Sequence, residues 1–202
     1  MLSDPSKLQQ LRDLAGKTGV LHARDLAPLG IPRHYFARLC AEGALVKVTR
    51  GVYRSPDASD TLHLGLAQAA KAAPNGVVCL LSALRFHEIG TQLPRQVWMA
   101  LDRRAAKPRV ARPAIRWVRF SGSALTEGVE FHDIAGVEVP IYTPAKTVAD
   151  CFKYRNKIGI DVALEALRDV LAGRKCTMDN IWRYAKVCRV SRVMQPYMEA
   201  LA

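Results

Sequence analysis

A chain of 202 residues, half of them apolar, is long enough to bury one or two cores, and its five scattered cysteines exclude a closed disulfide framework. With 30 Lys and Arg against 18 Asp and Glu, the net charge of +12 and pI near 9.8 point to a polyanionic partner, nucleic acid first. The start of the chain lacks a basic segment followed by an apolar core, and no run of about eighteen apolar residues occurs, so the expectation is a cytoplasmic protein without a membrane span.

Ser3 or Asp4 with Pro5 reads as the start of a helix whose Leu8, Leu11, Leu14 and Ala15 recur at helical spacing until Gly16 and Gly19. Val20-Leu21 suits a short strand, and Ala23 to Leu29 a brief second helix with Leu26 and Leu29 inward. His22 falls at its cap, where it is not a favoured residue. A third helix then runs from Pro32, at home in a first helical turn, to Gly43, which can take the left-handed conformation that ends a helix. At 100° per residue Pro32, Phe36, Leu39 and Cys40 share one side, while His34, Ala37, Arg38 and Ala41 share the other with Arg33 flanking. By itself such a face reads first as a solvated helix. After a supporting helix and the Pro28-Leu29-Gly30 turn, it is also what a helix lying in the major groove needs: small residues for close approach, and Arg and His for base edges and phosphates.

Leu45 to Thr49 and Val52 to Ser55 read as two strands joined at Arg50-Gly51. Alternation places Val46 and Val48 underneath and Lys47 and Thr49 outside, with Arg50 at the tip and Arg54 nearby. Three helices and a basic hairpin make a winged helix-turn-helix, with Arg33, His34, Arg38, Lys47, Arg50 and Arg54 as its candidate DNA contacts. The hairpin can also be read as an edge guarded by Lys and Arg. The layout, with Gly30-Ile31 before the third helix and Leu39-Cys40-Ala41-Glu42-Gly43-Ala44-Leu45 leading into Arg50-Gly51-Val52-Tyr53-Arg54, resembles the N-terminal domain of AbiEi-type antitoxins.

Ser55 to Asp60 is polar, contains Pro and lacks apolar periodicity, so a linker is expected there, dividing residues 1–57 from 58–202. Leu62, Leu66, Ala69 and Ala73 mark a helix, Val77 to Leu81 a buried strand, and Ser82 the cap of a short helix ending near Gly90. Gln96 to Leu101 and Ile115 to Phe120 read as strands, and Phe131 to Ile134 with Val137 to Tyr142 as a hairpin across Ala135-Gly136. Thr143-Pro144 caps a helix packing through Val148, Ala149, Cys151 and Phe152, and helices follow over about 160–172, 178–188 and 191–201 with Thr177 and Ser191 as caps. The fold expected is α+β, a winged helix-turn-helix joined to a mixed domain with a small sheet and a helical end. This second region resembles the AbiEi C-terminal domain through Leu81-Ser82-Ala83-Leu84, His87-Glu88-Ile89-Gly90 and Ile141-Tyr142-Thr143-Pro144-Ala145-Lys146-Thr147-Val148-Ala149-Asp150.

Residues 1–60 carry nine Lys or Arg and six acids, so +9 of the net charge lies beyond them. The Pro-containing connection with Arg103, Arg104, Lys107, Arg109 and Arg112 is expected to be exposed, and reads as a solvated loop, a second contact to phosphates, or a docking surface. No aromatic residue interleaves with it, which disfavours a stacking platform.

His22, His34, His63, His87 and His132 stand apart from the cysteines at metal-ligand spacing, so no zinc site is expected. Ser82 and His87 fall about 140° apart on one helix, poor geometry for a nucleophile and its base. Neither a phosphate loop nor a nuclease carboxylate cluster appears. The expectation is a non-enzyme without cofactor.

The resemblance implies an antitoxin of a type IV toxin-antitoxin, or abortive infection, system: a repressor on its own operon's promoter DNA, whose C-terminal domain opposes a nucleotidyltransferase-like toxin. Direct contact with that toxin is left open. The alternative is a one-component winged-helix regulator whose second domain binds a small-molecule effector. Without coiled-coil heptads, the chain is expected to be a monomer in solution that places two copies on an inverted repeat.

Overall fold

Pro28 lacks the N–H that would extend a helix beyond Leu26, and the chain turns there instead. The computed structural model describes residues 5–56 and 63–201. The expected Ser3 or Asp4 cap, most of the Ser55–Asp60 linker and the Leu62 helix start lie outside the described residues. The fold is α+β with two sheets.

The first elements are α1 (Pro5–Lys17), β1 (Val20–His22), a 3-10 turn (Ala23–Leu26), α2 (His34–Ala41), β2 (Val46–Thr49) and β3 (Val52–Arg54). The expected second helix thus shrinks to one 3-10 turn. Leu29 and Gly30 donate to carbonyls three residues back, and Leu29 is exposed rather than inward. β1, β3 and β2 form an antiparallel sheet in that order. Its core holds Leu11, Leu26, Ile31, Tyr35, Phe36, Leu39 and Leu45. Burying Phe36 and Leu39 contributes about 1.5–3 kcal/mol each. The helix α3 (Leu64–Ala72) packs against β1 and β3.

By packing, the chain forms two compact units: Met1–Asn75 with Pro108–Ile115 and His132–Val139, and Gly76–Lys107 with Arg116–Phe131 and Pro140–Ala202. The first therefore runs past the expected boundary at residue 57 and takes two later segments.

The remaining elements are β4 (Val77–Val78), α4 (Leu80–Phe86), β5 (Val97–Asp102), β6 (Ile115–Phe120), α5 (Ser123–Thr126), β7 (Val129–Ile134), β8 (Val137–Tyr142), α6 (Pro144–Lys153), α7 (Arg155–Ile158), α8 (Ile160–Ala172), α9 (Met178–Val187) and α10 (Ser191–Glu199). The second sheet has the order β6-β5-β4-β8-β7, with β4 antiparallel to β5 and parallel to β8. The expected strand over Val77–Leu81 is cut to two residues because α4 begins at Leu80. Ser82 is not the cap. It lies buried within α4, accepts from the Trp98 N–H at 2.9 Å and ties the helix to β5, while Cys79 takes the cap position. Ser191 likewise is the first residue of α10, with Val190 before it. Thr143 and Thr177 do cap, accepting from Lys146 N–H and Asn180 N–H. All five cysteines are free, but Cys40 and Cys176 are only half-buried.

Helix α6 is the centre of the second unit. All its residues from Ala145 to Phe152 are buried, not only the expected apolar face. Lys146 and Asp150, one turn apart and both fully buried, pair at 2.6 and 2.7 Å. The ammonium lies over the rings of Tyr142 and Phe120, 4.1 and 4.8 Å from their centres, and the Cys188 thiol donates to Asp150 at 3.2 Å. Burial, aided by Asp150, pushes that thiol up to about 12, which keeps it a donor. Burial also raises the Asp150 carboxyl above its usual range, against the pull of Lys146. Gly128 makes room for the arrangement: at φ +73, a Cβ there would come within 2.8 Å of the Lys146 Cβ and 2.9 Å of the Tyr184 ring.

Candidate nucleic-acid interface

Helix α2 is positioned by the turn before it. Gly30 adopts φ +60, Ile31 donates to Leu26 and buries its side chain, and Arg33 takes the cap position without a side-chain cap bond. The helix begins at His34, two residues later than expected, because Tyr35 and Phe36 donate only to carbonyls three residues back. Arg33, His34, Ala37, Arg38 and Ala41 are all exposed, as the helical spacing requires. The packing side is corrected in detail: Tyr35 joins Phe36 and Leu39 inside, Pro32 is exposed and Cys40 is half-buried. The stack of Phe36 on Tyr53, with centres 4.1 Å apart, fixes α2 against the hairpin.

Arg38 does not project freely. Its Nε donates to Glu42 at 2.9 Å, and Arg12 of α1 reaches the other oxygen of the same carboxylate at 2.6 Å. The hydrogen bonds from Arg38 and then Arg12 hold the Glu42 carboxyl below its usual range. Arg38 therefore has a defined direction and a competing anion.

The hairpin departs from simple alternation. A bulge between Lys47 and Thr49 shifts the register, so Thr49 turns inward and Val46 is 41% exposed. The expected apolar underside of Val46 and Val48 is thus partly on the surface. Thr49 Oγ accepts from the Ala111 N–H at 3.4 Å. Lys47 and Arg50 are exposed, and Arg54 is half-buried. Lys47, Arg54 and Arg112 line one groove of about 570 Å³ together with Gln68 of α3.

His22 proves to be a working cap. Its Nδ1 accepts from Arg24 N–H at 3.0 Å and from Arg24 Nε at 3.1 Å, while Asp25 accepts from the His22 N–H at 2.8 Å. Desolvation, with Arg24 next, lowers its pKa below 6.5 and keeps Nδ1 an acceptor. Asp25 also pairs with Lys71 at 2.6 Å, which anchors α3 to this turn. At Gly51, φ +77, a Cβ would lie 3.3 Å from the His22 ring, so the cap and the hairpin turn are packed together.

The other five cations are exposed, and they divide by unit: Arg103, Arg104 and Lys107 belong to the second, Arg109 and Arg112 to the first. Sequence reasoning did not single out Gln68 beside the β2–β3 hairpin, nor the Lys146–Asp150 pair. Gln68 comes from an α3 placed beyond the linker. Lys146 and Asp150 sit in a stretch quoted for its resemblance, and two charges in one amphipathic helix read as a solvated face.

The fold is similar to that in the crystal structure of the RV2827C protein from Mycobacterium tuberculosis, with a TM-score of 0.60 over 91% of this chain and 72% of that one. At 16% identity the likeness speaks to the fold alone. No curated protein matches the chain. No helix among the described residues is long and apolar enough to cross a membrane. Residues 9–56, which carry most of α1 and everything through β3, match the family described as "Transcriptional regulator, AbiEi antitoxin", a family of regulators rather than enzymes, and this bears out the resemblance to AbiEi-type antitoxins.

Proposed function

We propose that the chain is an antitoxin that represses its own operon, binding promoter DNA through a winged helix-turn-helix and opposing a nucleotidyltransferase-like toxin through residues 58–202. The observation that carries the reading is the family match over residues 9–56, the segment in which α2 exposes Arg33, His34 and Arg38 beside the basic β2–β3 hairpin. In this reading Ala37 and Ala41 let α2 approach the groove floor, Arg33, His34 and Arg38 reach bases and adjacent phosphates, and Lys47, Arg50 and Arg54 clamp the backbone. The shared groove adds Arg112 to that clamp. Two copies of a monomer occupy an inverted repeat in the cytoplasm.

The test is promoter binding and toxin rescue by the full chain. Changing Lys47, Arg50 and Arg54 together to alanine is expected to abolish promoter binding and repression while leaving rescue from the toxin of the neighbouring reading frame intact. Arg112→Ala alone is expected to lower the log–log salt slope of binding by about one unit. A folded triple variant that binds the promoter as wild type does would overturn the DNA reading. A neighbouring frame that encodes no such toxin, with no rescue by this chain, would overturn the antitoxin reading.

A further inference from the structure

In the second unit four separate segments converge on a cavity of about 580 Å³ lined by Arg103, Arg119, Lys153 and Arg189 with Ser121 and Ser123. Arg103 follows β5, and its N–H donates to Phe120 at the end of β6. Arg119, in β6, is fixed by Nη1 donating to the carbonyls of Asp102 at 2.5 Å and Ala105 at 2.7 Å. Lys153 ends α6, where the helix dipole favours a cation. Arg189 follows α9 at φ +59, its backbone held by bonds from its N–H to Lys186 and from Val190 N–H to Ala185. The two serines flank Gly122 at the start of α5, of which Ser123 is the first residue.

Four cations share the cavity, no carboxylate lines it, and among the described residues none of the four forms an ion pair. Elsewhere in the chain Arg12, Arg38, Lys71 and Lys146 are each matched to an acid. A concave cluster of like charges has its field focused inward and is relieved by an anion. Guanidinium forks and serine hydroxyls suit the oxygens of phosphate, and the volume lies within the range of small-ligand sites.

We infer that this cavity binds a small phosphate-bearing ligand through Arg103, Arg119, Lys153 and Arg189. The site does not rest on the DNA reading: it uses no residue of α2, the β2–β3 hairpin or the groove beside them, and takes only Arg103 from the basic connection. Arg119 holds the β5–β6 connection through two carbonyls as well as facing the ligand, so the variants that test the site are Arg103→Gln, Lys153→Gln and Arg189→Gly, the last replacing a strained residue by the one that favours positive φ.

The experiment is calorimetric titration of the full chain at low ionic strength with tripolyphosphate and, separately, with ATP. Both are expected to bind with Kd below about 1 mM, and each of the three variants to weaken binding about tenfold. Arg95→Gln and Arg168→Gln, exposed cations outside the cavity, are expected to change it less than twofold. Equal affinity for the two probes would mean that phosphate alone is recognised, whereas tighter ATP binding would add the nucleoside to the ligand class; either supports the site. Absence of binding up to about 5 mM would overturn it. So would cavity variants that are folded and bind as wild type, control variants that weaken binding equally, or binding of duplex DNA at these residues with no displacement by either probe.

Discussion

The two compact units differ in whether they bury charge. In the first, cations stand on the surface of α2 and the β2–β3 hairpin, where water solvates them and each makes little demand on the fold. In the second, Lys146 and Asp150 are sealed inside the core beside two aromatic rings, while four more cations line one cavity. Removing a surface cation should change binding and leave stability alone. Removing one member of the buried pair should do the reverse.

The largest effect is therefore expected from Lys146→Met. The buried Asp150 would lose its counter-ion in a site with no solvent exposure, and loss of one partner of a buried pair costs about 3–5 kcal/mol. Denaturant unfolding of the full chain should show a transition of the second unit shifted by that amount. Replacing both residues, Lys146→Met with Asp150→Leu, should restore much of the loss, because both desolvation penalties go together. If the double variant is as unstable as the single, the pair itself is required, and burial of unmatched charge is not the source of the loss.

Next come Arg33→Ala and Arg38→Ala, each expected to weaken promoter binding by about 1–3 kcal/mol with the unfolding curve unchanged. Arg38 sharpens the contrast further, since Glu42 holds it in the free protein. Part of the energy of an Arg38–phosphate contact goes to breaking that bridge, so Arg38→Ala is expected to show the smaller loss of the two. Electrophoretic or fluorescence titration against the promoter measures both. Wild-type affinity in two folded variants would remove α2 from the groove.

How far the sequence disclosed these two regions follows from the range of the interactions. The exposed face of α2 was legible because helical period and residue size act within ten residues: Arg33, His34, Ala37, Arg38 and Ala41 are all outside, and Phe36 and Leu39 inside. Thr143 capping α6 and the β7–β8 hairpin across Ala135-Gly136 were legible for the same reason. The bulge that turns Thr49 inward was not, because the Ala111 N–H that its hydroxyl then meets lies far along the chain. Ser82 has the chemistry of a cap, and only the placement of Trp98 against it shows why it sits inside α4 instead. In α6, polar and charged residues on the expected solvent side are buried by α8, α9 and α4, partners no local pattern announces. The basic cavity joins residues from β5, β6, α6 and α9, so its charges were visible singly and their convergence was not.

The smallest effect concerns His22, whose reading as a poor cap the structure reverses. Its neutral Nδ1 accepts two bonds from Arg24, and protonation would turn that acceptor into a donor facing Arg24's own N–H groups. In the unfolded chain the imidazole takes a proton near 6.5, whereas in the folded chain burial and Arg24 delay it to lower pH. The unfolded state thus gains protons first, and stability of this turn is present above about pH 6.5 and declines as pH falls from there through the lower, folded value. The ring is only partly shielded, so the loss should lie near the lower end of that for a cap, about 0.5–1 kcal/mol. Amide hydrogen exchange of Arg24 to Ala27 measured on either side of pH 6.5, and corrected for intrinsic rates, reads it locally. His22→Asn should keep the cap, as Asn is a favoured cap residue, and remove this pH dependence. A wild-type turn whose protection follows the same pH course as His22→Asn would show that the imidazole's charge has no part in holding it.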